Sequence, residues 1–356
     1  MQEIRRIIAA HDQWKREGRK MVLLSIAYSE DPSFKRWGHR LLLEASGAWV
    51  SAFGKGQLAA GHEALTLLFS SSENRHLSFD RNEFASLANA VGVMGAGVFL
   101  AQPLGKAAEN PVEQLRQLVE ASQPKVLCRI LDSAKREEWG YSEAFGLSEE
   151  PQTALFQVPA ILEKIAEVQQ QRRNKYLEIP EKGQMVVMEY LRPQNSVILV
   201  GNNYDLFMMA RVTEQLGWRR FVVGQRSRLL PALLAVTDGV LDPNNKEAWP
   251  VGPHTGLLQV THDYANDLAL LPELLQLDIP YYGLLGPRRR LQRLDADLQK
   301  QGHAPLAQFP QLHSPVGLDL GAETHEEIAL AALAEMMTIL RSGSGDHLIQ
   351  GEGPIH

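Results

Sequence analysis

The sequence predicts an α/β protein in which an N-terminal mixed α/β domain precedes a C-terminal Rossmann-like, doubly wound parallel sheet. From residue 196 onward, continuous apolar strands alternate with helical segments, the pattern of a parallel sheet covered on both faces. The run YYGLLGPRRR places a glycine and a proline between a strand and a basic helix. Thr324 and Glu327 form a capping box. Apolar residues at helical spacing follow this box: Ile328, Ala332, Met336 and Ile339.

The first half of the chain mixes helical and strand periodicity. The pattern predicts helices over residues 2–16, 58–69, 112–120 and 158–173. It predicts strands over residues 21–28, 40–44, 48–53, 97–101, 125–131 and 185–191. A hinge is expected at residues 192–195, because Pro193 interrupts the last of these strands. We therefore expect a first domain over residues 1–192, a second over 193–341 and a flexible glycine-rich tail over 342–356.

In the second domain the strands are SVILVG, RFVVG, GLLQVTHD and YYGLLG, with helices between them. Right-handed crossovers put such helices on both faces of the sheet and bury every strand. Ligands of these sheets bind beyond the carboxyl ends of the strands. The residues that follow each strand are therefore the first candidates for a binding site.

Composition excludes several classes of function. The chain has 356 residues and a net charge of −6, with no basic stripe interleaved with aromatic residues, so nucleic-acid binding is not favoured. Cys128 is its one cysteine, which excludes an internal disulfide and fits an inert core residue in an apolar strand. No apolar run approaches the roughly 20 residues that span a bilayer, and the N-terminus lacks a signal-peptide core. We expect a cytoplasmic protein.

A glycine turn follows the first strand of the second domain, where dinucleotide folds bind a pyrophosphate. Its sequence is Gly201-Asn202-Asn203-Tyr204-Asp205. Gly201 suits the tight turn, but Asn203 occupies the position of the second glycine, where a side chain intrudes. The acidic residue expected after the second strand is replaced by Gly224. The pattern therefore disfavours NAD, whereas Arg226 can receive a phosphate or lie solvated at the surface.

The third recognisable strand ends in Thr261-His262-Asp263, and Asp267 follows one helical turn later. An imidazole and two carboxylates at this edge make metal ligation conceivable. The alternative, which we favour, is that Asp263 or Asn266 caps the next helix while His262 makes an ordinary hydrogen bond. We accordingly predict no metal site.

The strand at 281–284 leads through Gly286 and Pro287, expected at the first helical position, into three consecutive arginines. Cations at a helix N-terminus cost about 0.3–1 kcal/mol each unless something negative is nearby. Arg288 and Arg289 therefore predict an anion site. The alternative is an ion pair with a carboxylate of the chain; the candidates are Asp319, Glu323 and Glu335.

Two segments of the first domain can also bind an anion. One is KRWGHR, which ends in Arg40, and the other contains Gly54, Lys55 and Gly56. The alternative is that these glycines only make turns and that the basic residues form a solvated loop.

Together these segments resemble the XdhC/CoxI family, accessory proteins for molybdenum-containing hydroxylases such as xanthine dehydrogenase. The resemblance is strongest from Met188 to Glu335 and rests on GLLGPRRR, SPVGLDLGAETHEEIA, the THD motif and the glycine turn with Asp205. A weaker match in the first domain keeps Arg36, Gly38 and Arg40 of an arginine-rich loop. The family's two cysteine motifs are absent: residues 53–57 read FGKGQ and residues 92–95 read GVMG.

The resemblance implies a non-enzymatic protein that binds molybdenum cofactor as cargo and helps to deliver it to a molybdenum hydroxylase client. Arginines and strand-end amides suit such a compact, phosphate-bearing ligand. The residues expected to line a cleft between the domains are Gly201, Asn202, Asn203, Asp205, Arg226, Thr261, His262, Asp263, Gly286, Arg288 and Arg289, with the loops near Arg40, Gly54 and Gly56 facing it. A homodimer is expected. Two alternatives remain open: an NAD(P)-dependent oxidoreductase, and a regulatory paralogue without cofactor chemistry.

Overall fold

The structure, a computed structural model, describes residues 2–29, 39–52, 54–59, 62–70, 72, 75–79, 97–104, 110–120, 124–132, 141–147, 158–179, 181 and 184–350. The chain divides into two compact units, Met1–Pro193 and Gln194–His356. This division falls inside the segment that the sequence predicts as a hinge.

The described residues of the first unit form two antiparallel sheets. Six strands form the first sheet: β1 (Met21–Ser29), β2 (Arg40–Glu44), β3 (Ala48–Ser51), β4 (Gly54–Gln57), β5 (Arg75–Phe79) and β6 (Gly97–Leu104). Their order is β4-β3-β2-β1-β6-β5. The second sheet has the order β8-β7-β10-β9. Its strands are β7 (Lys125–Asp132), β8 (Tyr141–Leu147), β9 (Lys175–Ile179) and β10 (Gln184–Leu191).

Among the described residues of this unit, four helices pack on these sheets: α1 (Gln2–Arg16), α2 (Glu63–Phe69), α3 (Pro111–Glu120) and α4 (Pro159–Gln171). One core joins α1 and α3 to both sheets through buried side chains such as Ile7, Leu42, Val112 and Leu127. Cys128 lies in a second core under α4. Burial raises the pKa of its thiol to about 12, so this cysteine is a core residue, as predicted.

The second unit is a six-stranded, wholly parallel sheet in the order β13-β12-β11-β14-β15-β16, as the sequence predicted. Its strands are β11 (Ser196–Val200), β12 (Arg219–Val223), β13 (Gly239–Leu241), β14 (Thr255–Gln259), β15 (Tyr281–Leu284) and β16 (Leu312–His313). Its helices are α5 (Tyr204–Gln215), α6 (Pro231–Ala235), α7 (Tyr264–Leu274), α8 (Arg288–Lys300) and α9 (His325–Arg341).

Both faces of this sheet are buried. On one face, α5 and α9 contribute Met209, Ala332 and Met336 to a core beneath β11 and β14. On the other, α7 and α8 contribute Leu271 and Leu294. The sheet therefore leaves its strand ends as the open surface, which is where its ligand sites are expected. No helix among the described residues is long and apolar enough to cross a membrane.

Three local predictions need correction. Gly54 and Gly56 lie in strand β4, paired with β3, and not in a loop; a Cβ on Gly56 would stand 2.2 Å from the Trp49 ring, so glycine makes room for that ring. Pro287 is the N-cap of α8, one position before the first helical residue. Ile339 is exposed, and Leu340 takes the buried position instead. Beyond α9, the structure describes residues 342–350, with one 3-10 turn at Leu348–Gln350.

A buried cluster of Glu3, Arg40 and Glu189 links α1, β2 and β10. The Arg40 guanidinium makes two hydrogen bonds to the Glu189 carboxylate, at 3.1 and 2.6 Å, and the Arg40 backbone N–H donates to Glu3. Burial, only partly offset by the charge of Arg40, raises the pKa of the Glu3 carboxyl to about 7. One arginine thus neutralises one of two nearby carboxylates, and Glu3 tends to keep its proton.

We predict that Glu3→Gln removes a pH dependence of stability. The Glu3 carboxyl holds its proton more tightly in the folded protein than in the unfolded chain, where its pKa has the ordinary value of 4.5. Its contribution to stability is therefore complete below pH 4.5 and is lost as pH rises through about 7. Relative to the variant, the wild type should lose roughly 3 kcal/mol of unfolding free energy over that range. Urea denaturation from pH 5 to 8 measures this.

The matched control is Glu178→Gln, on an exposed position of β9. That variant should follow the wild type at every pH. Parallel curves for wild type and Glu3→Gln would contradict the proposed protonation of Glu3.

Candidate functional site

Gly201 makes the tight turn at the end of β11. It has φ +138°, and a Cβ there would come within 2.0 Å of the Val260 carbonyl oxygen. Only glycine permits this approach between the ends of two neighbouring strands, β11 and β14. The turn predicted from the sequence is therefore present, and it brings residue 202 onward beside the residues that follow β14.

The two asparagines of the turn use their side chains on the local backbone. Asn203 is the N-cap of α5: its Oδ1 accepts from the Leu206 N–H at 3.0 Å, and its Nδ2 donates to the Val260 carbonyl at 2.6 Å. Asn202 donates to the Arg228 carbonyl at 2.9 Å and accepts from the Leu230 N–H at 2.8 Å. The amide that a pyrophosphate would use at this helix is therefore occupied, as expected for a side chain in place of the second glycine.

Asp205, in the first turn of α5, is a nearly buried carboxylate between two histidines. Its Oδ2 lies 2.7 Å from Nε2 of His262, and its Oδ1 is hydrogen-bonded to Nδ1 of His325. Burial alone would raise the pKa of Asp205, but the hydrogen bonds from His325 and His262 lower it below its ordinary value. An ionised carboxylate only accepts hydrogen bonds, so both facing ring nitrogens carry protons.

The two imidazole rings are oriented but remain accessible. The His262 side chain is 57% exposed and that of His325 is 55% exposed. His262 has φ +55°, an uncommon backbone conformation for this residue. The ring of Tyr204 packs edge-on against His325, with centroids 5.1 Å apart. The remaining nitrogens, Nδ1 of His262 and Nε2 of His325, are therefore free of Asp205 and can meet a ligand.

The two residues on either side of His262 in the sequence make hydrogen bonds that stabilise the fold. Asp263 caps α7 by accepting from the Asn266 N–H at 3.1 Å, and the Thr261 hydroxyl donates to Asp267. The cap predicted for Asp263 is therefore found, and His262 makes the hydrogen bond described above. Among the described residues, no group of three or more His, Cys, Asp or Glu side chains has an arrangement that could hold a metal ion.

The three arginines of α8 have different environments. Arg290 turns inward and binds the buried Asp267 carboxylate through Nε at 3.0 Å and a terminal nitrogen at 2.5 Å. Gly286 makes room for it, because a Cβ there would lie 2.9 Å from Cδ of Arg290. Arg288 and Arg289 are exposed. The sequence alone did not distinguish Arg290, since all three residues are identical in type.

No ion pair of Arg288 or Arg289 is found within the part of the chain that the structure describes. Glu335, one proposed partner, instead accepts hydrogen bonds from the Tyr281 hydroxyl at 2.7 Å and the Gly317 N–H at 2.9 Å. The N-cap, Pro287, makes no side-chain cap. The first N–H groups of a helix have no partner inside it, so two guanidinium groups and uncapped amides share this surface.

The first turn of α8 differs from those of the other long helices in its domain. Each of the other three has a side-chain cap and at least one acidic residue in its first turn. These acids are Asp205 in α5, Asp267 in α7, and Glu326 and Glu327 in α9. The α8 turn has neither a cap nor an acid. It is therefore the helix N-terminus at this edge best suited to an external anion.

The other predicted residues lie in different settings. Arg226 is exposed and begins a single 3-10 turn, Arg226–Arg228, after β12. Arg40 is buried against Glu189. This internal ion pair occupies its guanidinium, so Arg40 does not serve a ligand in this conformation. The remaining first-domain candidates, residues 35–38, 53 and 92–95, lie outside the described residues.

A small cavity of about 260 Å³ lies beside this edge, between the end of β15 and the start of α9. Its walls include Leu285, Val316, Leu318, Leu320 and Ile328, and Asp319 is the one charged residue among the described residues that line it. Neither this cavity nor His325 was identified from the sequence. Both depend on how the segment 314–324 folds over the sheet.

Comparisons with known proteins agree with the fold described above. Residues 197–336 match the family model described as the XdhC Rossmann domain. An uncharacterized protein of Escherichia coli (strain K12), YqeB, is 28% identical over 169 residues, which are 46% of this chain and 30% of that protein. A protein of Bacillus subtilis (strain 168) described as a probable xanthine dehydrogenase subunit is 29% identical over 174 residues, 47% of this chain and 50% of that protein. The similarity therefore spans half or less of each relative.

A crystal structure described as a xanthine dehydrogenase from Bacillus halodurans has a similar fold. The TM-score is 0.58, at 18% sequence identity, over 97% of this chain and 98% of that one. At this level of identity the likeness establishes the fold alone.

We predict that Gly201→Ala strongly destabilises the C-terminal domain. The added Cβ would overlap the Val260 carbonyl, and either strand end must move. The unfolding free energy should fall by at least about 2 kcal/mol. Gly252→Ala is the matched control, because Gly252 has a similar φ of +152° but no atom within 4 Å of the added Cβ. Equal losses for the two variants in urea denaturation would contradict the close approach.

We predict that Asp205→Asn lowers the stability of the same domain by about 1–3 kcal/mol near neutral pH. The amide presents an N–H donor to one of the two histidines, so that ring must give up either its facing proton or this hydrogen bond. The measurement is denaturation followed by tryptophan fluorescence. Asp263→Asn is the control and should change stability by less than about 0.5 kcal/mol, since asparagine caps helices as well as aspartate. Similar effects of both changes would rule out the special role of Asp205.

Proposed function

We propose that this chain, whose residues 197–336 match the XdhC Rossmann domain, is an accessory protein that binds molybdenum cofactor for a xanthine dehydrogenase-type hydroxylase. It would hold the phosphate-bearing cofactor as cargo and assist its insertion into the client enzyme. The Bacillus subtilis relative described as a probable xanthine dehydrogenase subunit supports this association. The proposal requires binding and release, with no chemical turnover.

The observation that carries the proposal is the exposed basic first turn of α8. Arg288 and Arg289 lie at the carboxyl edge of the sheet, in a helical turn that has neither a side-chain cap nor an acidic residue. Two cations at the positive end of a helix dipole are unfavourable by themselves. A phosphate removes that penalty, because guanidinium groups and backbone N–H groups all donate to its oxygens.

Cys128 restricts how the cargo can be held. It is the single cysteine of the chain, and its buried thiol has a strongly raised pKa, so it does not supply a thiolate. Thiolates are the soft ligands that favour molybdenum or sulfur transfer. We therefore infer that the protein binds the phosphate group of its cargo and does not coordinate the metal through a thiolate.

A second candidate function is an NAD(P)-dependent oxidoreductase. The strand order and the close turn at Gly201 favour a dinucleotide. Against it, Asn203 occupies the pyrophosphate amide, Asp205 puts a negative charge in the first turn of α5, and Gly224 offers no carboxylate to a ribose. Fluorescence titration with NADH and NADPH tests this alternative. Micromolar binding of either would favour it, and a preference for NADPH would implicate Arg226.

A regulatory paralogue without cofactor chemistry is the third possibility, and the absent family cysteines favour it. It predicts a stable protein partner in the native host and no small molecule on the C-terminal domain. Purification of the tagged chain, followed by analysis of bound proteins and of released pterin, separates it from the cargo hypothesis.

We predict that Arg288→Ala and Arg289→Ala each weaken binding of molybdenum cofactor by about 10- to 100-fold. This is the range for charge-assisted hydrogen bonds. The wild-type protein should retain the cofactor on gel filtration and protect it from oxidation, and rising salt should weaken retention. The readout is the amount of cofactor that elutes with the protein.

Lys300→Ala, at the far end of the same helix, is the control for net charge. Lys300 is exposed and pairs with Asp297, so its removal should leave retention unchanged. No retention by the wild type would reject the cargo proposal. Retention that is equal in all four proteins would exclude the α8 turn as the phosphate site.

A further inference from the structure

The cavity beside β15 combines apolar walls with a single carboxylate. Leu285 closes it on the strand side, Leu318 and Leu320 on the loop side, and Ile328 on the α9 side. Leu320 is 55% exposed, so the loop side of the cavity is open to solvent. Such a cavity suits a flat apolar group that enters from solvent.

The loop that forms the cavity is held in place. The Gly317 N–H donates to Glu335 at 2.9 Å, and the Leu318 N–H donates to the Ala331 carbonyl at 3.2 Å. Gly317 has φ +114°, and a Cβ there would stand 3.2 Å from Cβ of Ala331. The capping box at Thr324 fixes the other end of the loop. The cavity is therefore preformed, which reduces the ordering cost of binding.

Asp319 gives the cavity its polarity. It lies on the cavity wall, and no hydrogen bond or ion pair of its side chain is found among the described residues. A carboxylate has two oxygens and only accepts hydrogen bonds. Its natural partner in a ligand is a pair of adjacent N–H donors on one edge of a planar ring.

The basic turn of α8 is close to this cavity along the chain. Leu285 lines the cavity and precedes Arg288 by three residues, and three residues span at most about 11 Å. A ligand with a ring and a phosphate, of the size of a mononucleotide, can therefore contact both. The cavity would hold the ring, and the arginines would donate hydrogen bonds to the phosphate oxygens.

We propose that this cavity binds the heterocycle of a phosphate-bearing ligand, with Asp319 accepting hydrogen bonds from adjacent ring N–H and amino groups. The shared chemistry is that of a fused 2-amino-4-oxopyrimidine ring, present in both guanine and pterin. This inference rests on the proposed function for the phosphate end of the ligand. It adds a determinant of specificity that the arginines cannot supply, since they recognise only the charged phosphate.

The experiment is calorimetric titration of the full chain with four probes: GMP, IMP, ribose 5-phosphate and neopterin monophosphate. GMP and IMP differ by the 2-amino group that Asp319 would bind. The wild type should bind GMP and the pterin more tightly than IMP, by about 10- to 100-fold. Asp319→Asn should abolish this preference and leave ribose 5-phosphate unchanged. The tighter of the guanine and pterin probes identifies the source of the ring.

Asp346→Asn, at another exposed aspartate near the chain end, is the matched control and should behave as the wild type. Asp319 is itself exposed, so its substitution should not impair folding, which circular dichroism checks. A preference for GMP that survives in Asp319→Asn would overturn the inference. Retention of molybdenum cofactor by a wild type that binds no heterocyclic probe would also overturn it, while leaving the proposed function intact. Failure of both would reject both.

Discussion

The hydrogen bonds of the Asp205 carboxylate hold together three segments at the carboxyl edge of the C-terminal sheet. This side chain joins the start of α5 to the turn after β14 through His262 and to the start of α9 through His325. The contact is possible because Gly201 lets the end of β11 approach the Val260 carbonyl. A nearly buried carboxylate needs such partners, since desolvation would otherwise favour its neutral form.

The helices at this edge differ in the side chains that surround the free N–H groups of their first turns. The first turns of α5, α7 and α9 are neutralised from within the chain, by side-chain caps and acidic residues. The first turn of α8 instead carries Arg288 and Arg289, while Arg290 is paired with Asp267. The same helix thus has one arginine that stabilises the fold and two that remain available. This division leaves the first turn of α8, and not the glycine turn, as the helix N-terminus that is open to the anion proposed above.

Sequence patterns predicted the long elements well because their signals are local. The parallel sheet, the Thr324 capping box and the turn at Gly201 follow from apolar periodicity and from the backbone needs of single residues. The short edge strands β13 and β16 have three and two residues, too few for a periodic signal. The sequence predicts a glycine loop at strand β4, because GKGQ has low strand propensity, whereas pairing with β3 decides its conformation.

The sequence by itself determined which residue types reach the carboxyl edge: a glycine turn, a histidine with carboxylates, and three arginines. Only the tertiary structure decided their roles. Asp205 meets His262 and His325 across 57 and 120 residues of chain, and Arg40 meets Glu189 across 149. Periodicity and capping act within a few residues, so they are visible in the sequence. The pairing of charges depends on which strand ends the packed helices bring together, and no local pattern encodes that choice.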